Sequence, residues 1–141
     1  MIRKASAEWK GNRKEGKGAI STESGALKGA HYAFATRFEN SPGTNPEELV
    51  GAALAGCFSQ AFAGKLTDAG FPAEYIRTTA AVTMEKTDAG FTVTGIHLDV
   101  NVKAPGDAAA VAKNGEEAKA GCPISRLLSP GTKVTMSLKV D

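Results

Sequence analysis

Cysteine and histidine are scarce in this chain of 141 residues: there are two of each, with one tryptophan and two tyrosines. His31 and His97 stand at ligand spacing neither with each other nor with Cys57 and Cys122, so the sequence offers no metal centre. Nor is there a block of one charge. Lysine and arginine number 17 against 15 acidic residues, a net +2 spread along the chain, which lacks the basic patch of a nucleic-acid binder. No repeat of solenoid length and no low-complexity tract occurs. Met1-Ile2-Arg3-Lys4 is followed by alternating polar residues rather than an apolar run, so a secretory leader is not expected. The longest uncharged run, Leu49 to Gly64, is 16 residues with three glycines, a serine and a glutamine, and falls short of a membrane span. These absences point to a cytoplasmic protein with a small-molecule partner. In that reducing compartment two cysteines read as redox-active, catalytic or buried rather than as a permanent disulfide.

Hydrophobic residues make up 42% and charged residues 23%, enough for one domain over residues 1–141 to bury a core without staples. The chain is organised around Gly43 to Gly70. Asn45 is an N-cap, Pro46 a first helical residue with preset φ, and Glu48 closes a capping box. Gly70 supplies the left-handed stop, giving about 24 helical residues. From Leu49 to Phe58 nearly every side chain is apolar or tiny, so this helix is expected to be covered on all sides at the centre of the fold.

Before it, Arg3 to Lys10 alternates as a half-buried strand, Lys17 to Thr22 returns as a second, and His31 to Phe38 alternates as a third. In that third strand Tyr32, Phe34, Thr36 and Phe38 share one face, leaving Arg37 with Ala33 and Ala35 on the other. After the helix, Tyr75 to Lys86 and Phe91 to Lys103 form a hairpin about Thr87-Asp88-Ala89-Gly90. Asp107 to Ala120 is a helix by propensity, stopped by Gly121. Cys122-Pro123 reads as the N-cap and first residue of a helical turn through Leu128, and Thr132 to Val140 is a final strand. The order βββα, ββα, β gives an α+β chain with mostly antiparallel pairing.

Cys57 has two readings, a small buried hydrophobe or a nucleophile. An arginine such as Arg37 would favour the thiolate that a nucleophile needs. Glu47 and Cys57 are ten residues apart on one helix, about 15 Å along a straight axis, so they cannot touch within one chain. If two copies of the helix cross antiparallel near Ala52, Glu47 of one approaches Cys57 of the other, and Gly51, Ala52, Ala53, Ala55 and Gly56 are small enough for a close crossing. The expectation is a homodimer with shared sites. Otherwise Glu47 serves the helix N-terminus electrostatically. Cys122, at a helix start, is placed where N–H groups favour a thiolate, and its bonding to Cys57 requires the 107–128 region to pack beside the central helix.

Together, Gly43-Thr44-Asn45-Pro46-Glu47-Glu48-Leu49, Gly56-Cys57-Phe58, Ser21-Thr22-Glu23-Ser24-Gly25 and Gly121-Cys122-Pro123 resemble the OsmC/Ohr family. This family comprises osmotically inducible protein C and the organic hydroperoxide resistance proteins. The likeness spans essentially the whole chain. Thr36-Arg37-Phe38-Glu39, Ser24-Gly25 and Lys119-Ala120-Gly121-Cys122-Pro123 are closer to the OsmC branch. The resemblance implies an intertwined homodimer with sheets wrapped around two central helices, and a thiol peroxidase acting on organic hydroperoxides. Cys57 then matches the peroxidatic cysteine, Cys122 the resolving one, and Glu47 the active-site glutamate. The arginine is Arg37 by the OsmC pattern, with Arg13 at the position of the other branch. Phe34, Phe38, Leu54, Phe58, Phe62 and Met84 are the candidate walls of an apolar substrate pocket. No cofactor is implied, and the reductant would be a dithiol or lipoyl group. Two rival readings remain: a cysteine-nucleophile hydrolase, for which neither histidine is a well-placed base, and a non-catalytic stress-induced binding dimer.

Overall fold

The cap read at Asn45 sets where the longest helix begins. In the structure, a computed structural model describing residues 1–141, the Asn45 side-chain oxygen accepts the Glu48 N–H at 2.8 Å, and the helix runs from Pro46 to Asp68. The second half of the expected capping box is different: the Glu48 carboxylate takes the Thr44 hydroxyl at 2.7 Å. Contacts divide the chain into two compact units, Met1–Leu49 and Val50–Asp141.

In the first unit, β1 (Ala5–Lys10), β2 (Lys17–Thr22) and β3 (Ala30–Tyr32) form an antiparallel sheet in that order. Gly18 is opposite Tyr32, whose ring covers it so closely that a Cβ there would lie 2.2 Å from a ring carbon. Trp9 meets the same ring at 5.4 Å. Apart from half-buried Trp9, β1 is exposed on both faces, so the half-buried strand expected at Arg3 to Lys10 is solvent-facing in the single chain.

The third strand is shorter than its alternation predicted. It stops at Tyr32, and Phe34–Phe38 is a short helix, α1. Thr36 decides this: its hydroxyl accepts the Ala33 N–H at 2.9 Å and donates to the Ala33 carbonyl at 3.0 Å, closing the turn at the helix start. Phe34 and Phe38 therefore meet one turn apart as a tilted pair, ring centres 4.8 Å from each other, instead of alternating along a strand. Arg37 is consequently on a helix beside Phe38, not on an alanine face.

In the second unit the long helix, α2 (Pro46–Asp68), buries Gly51, Leu54, Phe58, Phe62 and Leu66 along one side. That spacing of three and four is one helical face. The opposite side is exposed in the single chain and carries Ala52, Ala53, Gly56, Gln60 and Gly64, so the all-round cover expected of this helix is absent within one copy. α2 is also the one helix long and apolar enough to cross a membrane by length and composition, which counting only its uncharged run did not admit.

β4 (Tyr75–Thr87) and β5 (Gly90–Lys103) form the hairpin expected about Asp88-Ala89, with Gly90 at φ 100°. The helices α3 (Ala108–Gly121) and α4 (Pro123–Leu128) follow, and β6 (Lys133–Val140) closes the unit. β6 pairs parallel to β5, because two helices intervene and a helical crossover returns a strand in the same direction. Its ladder covers β5 only from Gly95 to Val102. The β4–β5 ladder shifts register between Thr83 and Met84, at the point where β6 cover ends. Ile96, Leu98, Val100 and Val102 of β5 meet Val111, Ala118 and Cys122 and the buried side of α2 in one cluster. Each such large apolar side chain stabilises the fold by about 1.5–3 kcal/mol.

Candidate active site

The Asp107 side chain accepts the Ala110 N–H and starts α3, as the alanine-rich segment foretold. Cys122 then plays two parts, C-cap of α3 and N-cap of α4. Pro123 at the first helical position presets the turn, and the Ser125 N–H donates to the Cys122 sulfur at 3.3 Å. Cys122 is 1% exposed, and Ser125 is buried beside it.

Cys57 projects from α2 toward the same cluster and is half-buried. Both thiols are free, and Cys57 is near enough to act on the ionisation of Cys122. Burial pushes the Cys122 thiol up from its ordinary range. The Ser125 N–H opposes this, the neighbouring Cys57, above all as a charged thiolate, adds to it, and the Ile124 N–H again opposes. The pair is therefore unequal: Cys122 is the inner sulfur, reluctant to ionise while Cys57 carries charge.

The first unit brings Arg37 and Glu47 together. Arg37 donates from Nε at 2.8 Å and from Nη2 at 2.5 Å to one carboxylate oxygen of Glu47. The Glu47 side chain is mostly buried, at 14% exposure against 39% for Arg37, so this contact is shielded more than an ordinary surface pair. The Arg37 guanidinium also lies 5.5 Å from the Phe38 ring centre. Three local features set the geometry. Thr36 closes α1, the Thr44 N–H donates to the His31 carbonyl at 2.8 Å, and Gly43 adopts φ 143° with no room for a Cβ between His31 and Thr36. Arg13 is exposed in the β1–β2 turn and holds no acidic partner.

Of the residues expected to wall a pocket, Leu54, Phe58 and Phe62 are fully buried in the core of the second unit. They fill that core rather than line a cleft, as their spacing on the buried side of α2 requires. Met84 is half-buried on β4 outside that cluster, and Phe34 and Phe38 form the tilted ring pair on α1. Two surface clefts, one at Lys4, Thr22 and Ser24 and one at Pro72, Glu74, Lys103 and Asp141, contain no cysteine. Two residues at these positions escaped the sequence reading. Ser125 stands three places after an N-cap, where a backbone donor is always available, and Thr36 marks a helix start that the alternation hid.

The family model described as OsmC-like protein matches residues 38–137. The peroxiredoxin OsmC of Escherichia coli (strain K12) is 49% identical over 138 residues, covering 97% of this chain and 96% of that protein, and that of Shigella flexneri matches equally. Among solved structures, the organic hydroperoxide resistance protein OhrB of Bacillus subtilis superposes with a TM-score of 0.77 at 25% identity, over 96% of this chain and 98% of its own. An OsmC-like protein of unknown function from Vibrio cholerae gives 0.78 at 18% identity, covering 99% of each chain, a likeness of fold.

Proposed function

The chain belongs to the OsmC-like family, and on that premise we propose that it is a thiol-dependent peroxidase that reduces organic hydroperoxides to alcohols in stress defence. The observation that carries this reading is the pair of free thiols in one cluster, Cys122 in the core and half-buried Cys57 packed against it. The Cys57 thiolate attacks the terminal peroxide oxygen, the O–O bond breaks, and the alkoxide leaves and takes a proton as alcohol. Cys57 is now a sulfenic acid. The Cys122 sulfur attacks it, water leaves, and the Cys57–Cys122 disulfide remains. A dithiol or lipoyl-type reductant restores the pair. No metal or organic cofactor enters these steps.

Arg37 stabilises the thiolate and the charge that moves onto the peroxide oxygens, and Glu47 orients the guanidinium through both nitrogen contacts. Since Glu47 and Cys57 are about 15 Å apart along α2, the Arg37–Glu47 pair serves the cysteine of a second copy in a homodimer. The exposed small-residue side of α2 supports that assembly, as does the absence of any fully buried hydrophobic residue from the first unit. A hydrolase finds less support. His97, the histidine of the second unit, has one ring nitrogen 2.7 Å from the Thr135 hydroxyl and the other 3.0 Å from that of Ser137, on the strand face away from Ile96 and Leu98.

The test is a free-thiol count after one equivalent of tert-butyl hydroperoxide. Wild type should lose two thiols, Cys57→Ser none, and Cys122→Ser one with a trappable sulfenic acid. Wild type that keeps both thiols would rule the peroxidase out and leave an inert binding dimer.

A further inference from the structure

Resting on the disulfide cycle just described, we propose that its reduction has a fixed direction: the incoming dithiol attacks the Cys57 sulfur, and Cys122 is the sulfur that leaves. Thiol–disulfide exchange requires the attacking thiolate to reach one sulfur, while the other departs with the electron pair. Which sulfur is reached depends on access. Cys57 is half-buried on α2, whereas Cys122 is 1% exposed and belongs to the core cluster, so an approach from solvent ends at Cys57.

The surroundings of Cys122 also suit departure. Its sulfur already accepts the Ser125 N–H at 3.3 Å, a donor fixed by the first turn of α4, so the negative charge arriving there finds a backbone partner without rearrangement. The influence of Cys57 that hinders ionisation of Cys122 in the reduced pair, strongest when Cys57 is a thiolate, vanishes while Cys57 is bonded to the reductant. Burial continues to oppose the charge, and the Ser125 and Ile124 N–H groups continue to favour it. Cys122 leaves as thiolate and takes a proton. The second thiol of the reductant then attacks its own bonded sulfur, releasing a cyclic disulfide and the Cys57 thiolate. The reductant loses two electrons and the protein disulfide gains them. With Cys57 charged again, the proton on Cys122 is held more firmly, and the pair is reset for peroxide.

The experiment uses wild-type protein oxidised with one equivalent of tert-butyl hydroperoxide. An excess of 2-mercaptoethanol, which has no second thiol to finish the reaction, is added. Samples are quenched in acid at early times, alkylated with iodoacetamide and mapped by peptide mass. We expect the 2-mercaptoethanol adduct on the Cys57 peptide and the alkyl group on the Cys122 peptide in the great majority of singly opened molecules. The reverse labels, or equal amounts of both patterns, overturn the proposal while leaving the peroxidase cycle intact. If both cysteines are already alkylated in the sample taken before 2-mercaptoethanol is added, no disulfide has formed, and the peroxidase reading fails along with this one.

Discussion

The sulfur of Cys122 has two neighbours that act on its ionisation, the backbone N–H of Ser125, which donates to it at 3.3 Å, and the thiol of Cys57. One partner resists its ionisation and the other assists it.

That opposition can be measured. In Cys57→Ala the neighbouring thiol and its charge are removed, so Cys122 should ionise at lower pH than the second thiol of wild type, as read by ultraviolet thiolate absorbance. Burial, the largest influence, stays in place, so the shift should be partial. An unchanged midpoint would mean that the thiols do not interact.

The same group links stability to pH. The folded protein holds the Cys122 proton more tightly than the unfolded chain does, so its stabilising contribution is complete below the ordinary thiol range and is lost as pH rises through the folded value. Urea midpoints from neutral to alkaline pH should fall more steeply for wild type than for Cys122→Ala.

Arg37 grips one oxygen of Glu47 with two nitrogens. Lysine keeps the charge but not the fork. Arg37→Ala should lower kcat/KM for organic hydroperoxide by about 10²-fold, with Arg37→Lys recovering part of it. In both variants the first opening of the preformed disulfide, in which Cys122 leaves, should proceed at the wild-type rate, which stopped-flow single turnovers would resolve.

Thr36 closes the turn that carries Arg37. Thr36→Val keeps the shape and loses both hydroxyl contacts with Ala33, which should cost about 1–2 kcal/mol in urea unfolding; Thr36→Ser should retain most of it. Gly43→Ala should also destabilise, because φ 143° disfavours a side chain and the new Cβ would lie 2.7 Å from both the His31 carbonyl oxygen and a Thr36 carbon.

Tyr75 and Asp141 give a prediction away from the cysteines. The Tyr75 hydroxyl donates to the Asp141 carboxylate at 2.7 Å, and that bond is the main reason the carboxyl sits below its ordinary range. The stabilisation it brings is complete above pH about 4 and fades as pH falls through the folded value. Tyr75→Phe should raise the Asp141 midpoint in an NMR titration.

What the sequence made legible is what neighbours along the chain decide. Asn45 with Pro46, Cys122 with Pro123, Asp107, and the Asp88-Ala89 turn each announce a boundary through groups a few residues apart, and each boundary stands within two residues of its expected place. Residues 34–38 misled because their apolar alternation fits a strand, while the deciding contact is one hydroxyl returning three residues to Ala33. The parallel direction of β6 follows from a crossover of two helices, which strand periodicity does not report. Cys57 and Cys122 were recognisable as a pair, but their unequal burial depends on α3 and α4 packing against β5 and α2, a relationship between distant segments. Leu54, Phe58 and Phe62 look alike as pocket wall or core until the face of α2 that meets the sheet is known.

The end of β6 cover at Gly95, next to the register shift at Thr83 and Met84, leaves the far part of the β4–β5 hairpin as a ribbon of two strands. A two-stranded ribbon has little independent stability in water. Its backbone amides should therefore exchange with deuterium through local opening, at a small fraction of the free energy that protects Leu98 and Val100 beneath α2. The hairpin would melt from its tip inward and halt at the shift, so that one irregularity in the ladder separates a segment that breathes from a core that opens only when the unit unfolds.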